Sequence, residues 1–245
     1  MNIKTKLTKI GRDPKKNKGY INPGIYKGST LIFNDFKSYI KDRDRKDDVA
    51  YYGININPTW NKFERAISKL YGASDTVATP SGLAALVIPF FTFLKNGDHV
   101  LISDALYNPT RHFCEKILMN YGIEINYFHP TRSIDKFDRL IKNNTKLIFL
   151  ESPGTATFDI IDFPRITKIA KKNNIIIIED CAISFGTQYK NSYIGTLGDI
   201  GFYSFGMFKF VSSLNGGFIL IKNKEILTWK TYGENTKYLK FIISN

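Results

Sequence analysis

Residues 60–222 of the 245-residue chain are predicted to form an α/β fold, a mainly parallel sheet flanked by helices. Two observations predict it. Short apolar runs of strand length recur through this region, and stretches of helical length and spacing separate them. The runs are also solidly apolar, as in the four consecutive isoleucines at 175–178. Strands joined through helices pair in parallel, and solidly apolar strands are those covered on both faces.

The strands are expected at 76–79, 99–102, 123–128, 146–151, 175–180, 200–205 and 217–221, each rich in β-branched or aromatic residues. Helices are expected at 82–95, 109–121, 133–143 and 163–172. Beyond Asp180 the helical pattern stops, leaving loop-rich stretches at 181–197 and 206–216. Residues 1–59 are polar at first, yet carry Tyr20, Tyr26, Phe33 and Phe36. They read as an N-terminal arm that packs on another subunit, or as a leader with one helix at 36–45. Residues 223–245 have room for one helix and read as a tail rather than a further α/β domain.

Composition narrows the function. With 43% hydrophobic and 14% aromatic residues the chain has material for a large core, which excludes disorder. Cys114 and Cys181 lack any Cys-x-x-Cys or Cys/His ligand spacing, so reduced thiols, a cytoplasmic setting and no metal site are expected. The longest apolar run, 83–94, is too short to span a bilayer, and no apolar segment follows the basic N-terminus. The net charge of +13 comes mainly from lysines scattered along the chain, which argues against nucleic acid as a partner while leaving attraction to phosphorylated ligands open.

In an open α/β sheet ligands collect at the carboxyl ends of the strands, and four features fall there. Ser81-Gly82-Leu83 lies between a strand and a helix, where free amides and the helix dipole would hold a phosphate, although Ser-Gly is also an ordinary helix cap. Asp180 follows the isoleucine run at a buried strand tip, a functional charge or one half of a structural ion pair. Lys209 stands between Phe208 and Phe210, either desolvated into a reactive amine or extended along the surface. Tyr107, just after a strand, could stack on a flat heteroaromatic ring or simply pack. Together, a phosphate cradle, a carboxylate, an amine and a stacking ring are what pyridoxal 5′-phosphate requires.

With these residues in place the sequence resembles the fold-type I pyridoxal-phosphate enzymes. Over about 5–164 it is similar to the cystathionine β-lyases of the Cys/Met-metabolism family, at Gly11-Arg12, Tyr26-Lys27-Gly28, Tyr52-Gly53, Asn57-Pro58-Thr59, Ser81-Gly82, Gly97-Asp98-His99, Tyr107 to Cys114 and Glu151-Ser152-Pro153-Gly154. Over about 176–222 it looks more like the sugar aminotransferases of the DegT type, at Ile178-Glu179-Asp180, Gly198-Asp199-Ile200-Gly201 and Tyr203-Ser204-Phe205. Both resemblances imply Lys209 as the residue that carries the cofactor and Asp180 as the partner of its ring nitrogen. The DegT-type one adds Ser204, and the lyase one Tyr52, as phosphate ligands; Tyr52 would reach in from the neighbouring subunit of a homodimer or homotetramer. Where the lyases carry an arginine two residues after that tyrosine, this chain has Ile54. The lyase resemblance implies β-elimination of cystathionine to homocysteine, pyruvate and ammonia. The alternatives are an aminotransferase, or a non-catalytic remnant, because fold-type I enzymes continue into a small domain well past the lysine whereas this sequence stops at Asn245.

Overall fold

A computed structural model describes residues 3–44, 52–53 and 57–228. The rest of the expected arm, including Ile54, and the expected tail beyond 228 lie outside the described residues. Three helices come first: α1 (Ile3–Lys9), α2 (Phe36–Asp44) and α3 (Pro58–Tyr71). The sequence reading had no helix at 58–71, although its signals were present. Asn57 caps it by accepting the Thr59 N–H, Pro58 opens it, and Phe63, Ile67, Leu70 and Tyr71 recur at helical spacing.

The strands follow the apolar runs closely. They are β1 (Asp75–Thr79), β2 (His99–Ser103), β3 (Glu124–Phe128), β4 (Thr145–Glu151), β5 (Ile176–Asp180), a small β6–β7 hairpin (Gln188–Tyr189 and Ser192–Tyr193), β8 (Ile200–Ser204) and β9 (Gly217–Ile221). The main sheet has the order β1-β9-β8-β5-β4-β2-β3. Every pair from β3 across to β8 is parallel, and only β9 runs antiparallel, to both β1 and β8. The expected mainly parallel sheet is therefore present, with one reversed strand near its edge. This reversal carries the chain from the end of β8 through residues 205–216 back into β9, so that loop lies at the same edge as the carboxyl ends of β4 and β5.

Helices α4 (Gly82–Phe93) and α5 (Asn108–Phe113) cover one face and α6 (Phe163–Lys172) the other. Alternate strand residues separate accordingly. Val100, Ile102, Leu147, Phe149, Ile176 and Ile178 pack in the core under α4 and α5, while Leu101, Ile148, Leu150 and Ile177 face α6. Both faces are dry there, which is why β2, β4 and β5 carry apolar runs without alternation. A short helix α7 (Lys224–Thr228) closes the described chain.

Two expected helices differ. The stretch 109–121 begins as α5 but continues as a wider π turn over Cys114–Leu118 and a tighter turn over Met119–Tyr121. The helix expected at 133–143 is instead a 3₁₀ segment, Ile134–Leu140, broken at Lys136. Its apolar residues Ile134, Phe137 and Leu140 recur every third position, which matches three residues per turn, and Phe137 alone of them is fully buried, edge-on to Phe128.

At the opposite end of the sheet His99 is buried between Thr145 (Nδ1 to Oγ1, 2.7 Å) and Asn126 (Nε2 to Oδ1, 2.9 Å). Thr145 Oγ1 accepts the Lys142 N–H, which directs its own hydroxyl proton to Nδ1 and leaves Nε2 as the donor to Asn126. Burial first, and then the Lys142 charge, hold the imidazole below its ordinary range. A depressed histidine stabilises the fold in its neutral form. That contribution is present above the unfolded pKa of about 6.5 and is lost as the pH falls below it. Thermal melting of wild type should thus decline from pH 7 to pH 5 more steeply than that of His99→Gln, and parallel declines would refute this.

Candidate active site

The carboxyl ends of β4, β5 and β8 bring together side chains from one face of the sheet. Glu151, Asp180 and Ser204 share the parity of the residues that pack beneath α4. Glu151 and Asp180 are register partners at adjacent strand tips, and both are buried. Asp180 Oδ1 accepts the Ala182 N–H at 3.0 Å. Its carboxyl is pushed upward by burial and then by the Glu151 charge, against the pull of the Ala182 amide and the Lys209 ammonium. Glu151 is also raised by burial, and Thr155, the Tyr107 amide and Lys209 oppose the rise. Two carboxyls and one ammonium thus act on one another in one recess.

Lys209 lies in the loop 205–216, its backbone N–H bonded to the Gly206 carbonyl. Its Nζ stands 5.9 Å from the centre of the Tyr107 ring. One of the two sequence readings had Phe208 and Phe210 desolvate this amine. They do not, since the two residues are 93% and 82% exposed. Neighbours in a non-helical loop point in different directions, so adjacency in sequence says little about who covers whom. What faces Lys209 comes from β4, β5 and the loop after β2.

The turn before α4 meets the end of β8. Ser81 caps the helix, its Oγ accepting the Ala84 N–H at 3.0 Å. The capping and phosphate readings of this turn are therefore compatible. The Ser81 hydroxyl is engaged in the cap, while the first-turn amides at Gly82 and Leu83 have no acceptor within the helix. Gly82 is required by close approach: a Cβ there would lie 2.4 Å from both Cβ and Oγ of Ser204. Ser204 Oγ accepts the Gly206 N–H at 3.2 Å, so its own proton remains to be given. The result is a small cradle of amides and a hydroxyl at a helix N-terminus, which suits a phosphate. Tyr52 is exposed, on the chain next to Gly53, whose N–H bonds the Ser29 carbonyl. Among the described residues no hydrogen bond or ring contact joins it to the others.

The residue that sequence reasoning missed as chemistry is Glu151. Its signal was the one that identified Asp180, a carboxylate ending an apolar strand run.

A mainly parallel α/β fold with a lysine loop, a buried carboxylate and a helix turn suited to a phosphate at one sheet edge is the arrangement that a pyridoxal-phosphate enzyme requires. The chain belongs to the Cys/Met metabolism PLP-dependent enzyme family, whose model matches residues 4–211 and so runs through both Asp180 and Lys209. It is 39% identical over 178 residues to a Rhizobium johnstonii protein provisionally named a cystathionine beta-lyase, covering 73% of this chain and 44% of that protein. It is 34% identical over 185 residues to the L-alanine/L-glutamate racemase of Wolbachia pipientis, covering 71% and 45%. Among solved structures, cystathionine gamma-lyase from Lactobacillus plantarum, complexed with L-serine, superposes with a TM-score of 0.79 at 25% identity, over 100% of this chain and 59% of that one. The chain spans about half the length of the curated relatives it matches.

The residues present fit the family's cofactor. The Gly82–Ser204 approach makes a cradle that a side chain would fill, the acid at the β5 tip is buried, and the Tyr107 ring lies beside the lysine.

Proposed function

We propose that this chain carries the cofactor-binding part of a carbon–sulfur lyase of the cystathionine β-lyase kind, acting on cystathionine to give homocysteine, pyruvate and ammonia. The observation that carries the reading is the meeting of Lys209, Tyr107, Asp180 and the Gly82–Ser204 cradle at one sheet edge. Pyridoxal 5′-phosphate, when bound, supplies an electron sink for the pair left when a substrate loses its α-proton. Lys209 would hold the cofactor through Nζ, and the same atom would take the substrate's α-proton. Asp180 would keep the cofactor's ring nitrogen protonated, Tyr107 would cover its ring, and the amides of Gly82 and Leu83 with the Ser204 hydroxyl would hold its phosphate, Ser81 keeping that turn in shape.

Tyr52 completes the phosphate site from a second copy of the chain in a homodimer or homotetramer. The exposed apolar residues of the arm, Ile25, Ile32 and Phe36 among them, support that assembly. Among the described residues no helix is long and apolar enough to cross a membrane. Cys114 and Cys181 are free and buried, in keeping with a reducing compartment.

The test is to give purified protein pyridoxal 5′-phosphate and cystathionine. Release of thiol together with pyruvate supports the lyase. A glutamate-dependent loss of the visible cofactor band without thiol release favours the aminotransferase, and cofactor binding without turnover favours the remnant.

A further inference from the structure

We propose that Glu151 is a positioning residue of this site: it anchors the backbone at Tyr107, so that the ring stays beside Lys209. The inference rests on reading the recess as a pyridoxal-phosphate site. Tyr107 is 49% exposed, and among the described residues its ring meets no other aromatic side chain, so packing does not determine where it points. Its backbone does. The Tyr107 carbonyl accepts the N–H groups of Thr110 and Arg111 at the start of α5, while its own N–H donates to Glu151 Oε2 at 2.7 Å.

The other carboxylate oxygen accepts the Thr155 hydroxyl, and the Thr155 N–H returns to the Ala105 carbonyl at 3.1 Å. Gly154 makes this closure possible, since a Cβ there would lie 2.5 Å from Ala105 Cβ. The loop after β4 is thereby clasped to the loop after β2 through one carboxylate that is only 6% exposed. A buried acid in this place is costly, and neutral groups could make the same hydrogen bonds. What the charge adds is strength: hydrogen bonds to a carboxylate are shorter and stronger than those to a neutral oxygen, which firms the clasp on Tyr107.

Two substitutions test the anchor. Glu151→Gln keeps an oxygen within reach of the Tyr107 N–H, and Glu151→Asp withdraws it by one methylene. In cofactor-free protein, hydrogen exchange at the Tyr107 amide, followed by peptide mass spectrometry, should be about tenfold faster in Glu151→Asp than in wild type and close to wild type in Glu151→Gln. Glu151→Asp should also weaken pyridoxal 5′-phosphate binding, followed by absorbance, about tenfold through loss of the anchor, with Glu151→Gln recovering most of it. If Glu151→Asp matches wild type in both measurements, the proposal is overturned, as it is if both variants fail to fold, which would make Glu151 a structural residue. If wild type takes up no cofactor while the exchange result holds, the anchor stands and the functional reading fails.

Discussion

Lys209→Ala should abolish the visible band that pyridoxal 5′-phosphate forms with the protein, and should remove the mass increment that borohydride reduction otherwise fixes on the peptide containing residue 209. Noncovalent contacts at the cradle can still hold the phosphate, so the loss to look for is attachment rather than all binding. The variant should fold. Lys209 lies in a loop whose neighbours Met207, Phe208 and Phe210 are exposed, so no core contact goes with it. Near pH 5 its denaturation midpoint should correspond to wild-type stability within about 0.5 kcal/mol.

Above that pH the two proteins should diverge. Glu151 and Asp180 have folded pKa values above their unfolded ones. Raised carboxyls contribute stability that is present at low pH and is lost as the pH climbs through the folded values. Removing the ammonium that lowers both raises them further, so Lys209→Ala should lose more stability than wild type between pH 5 and pH 8. An unchanged band in Lys209→Ala would move the attachment to another lysine and sink the proposed chemistry.

Glu179→Ala should be the more damaging change to the fold. Glu179 precedes Asp180 and so points to the opposite face of the sheet, away from the recess. It is buried and accepts the N–H groups of Gly195 at 2.8 Å and Gly198 at 2.5 Å. Burial pushes its carboxyl up to about 7 even though these amides pull it down. Alanine leaves the amides without an acceptor and opens space behind β5, at a cost of about 2–4 kcal/mol. The urea midpoint should fall accordingly with little change in slope, and Glu179→Gln, which retains one acceptor oxygen, should lose about half as much. A midpoint for Glu179→Ala equal to wild type would show that the loop 194–199 does not depend on this carboxylate.

The legible part of the structure was that in which a local pattern and a buried environment coincide. The strands at 99–103, 145–151 and 176–180 could be read because both sheet faces are dry, which leaves unbroken apolar runs. Helix 58–71 is announced by Asn57-Pro58, but it precedes the run of alternating strands and helices that marks the domain. The stretch 134–140 looks helical in sequence because every-third spacing is close to the α-helical period. At the site, Asp180, Lys209 and Tyr107 are legible as candidates from strand ends and Ser204 from the resemblance, while Glu151, with the same strand-end signal, has its partners far along the chain.

What the sequence by itself determined was which segments become strands, where their carboxyl ends fall, and hence which residue types stand at the sheet edge. Those depend on periodicity and on side-chain chemistry, both local properties. Only the tertiary structure decided that β9 turns back beside β8, that Gly82 admits Ser204, and that Glu151 stands beside Asp180 and grips Tyr107. It also decided that Phe208 and Phe210 leave Lys209 uncovered. Pairing partners, close approaches and loop directions arise between residues far apart in the chain, where no local pattern carries a signal and where packing and the burial of charge choose the arrangement.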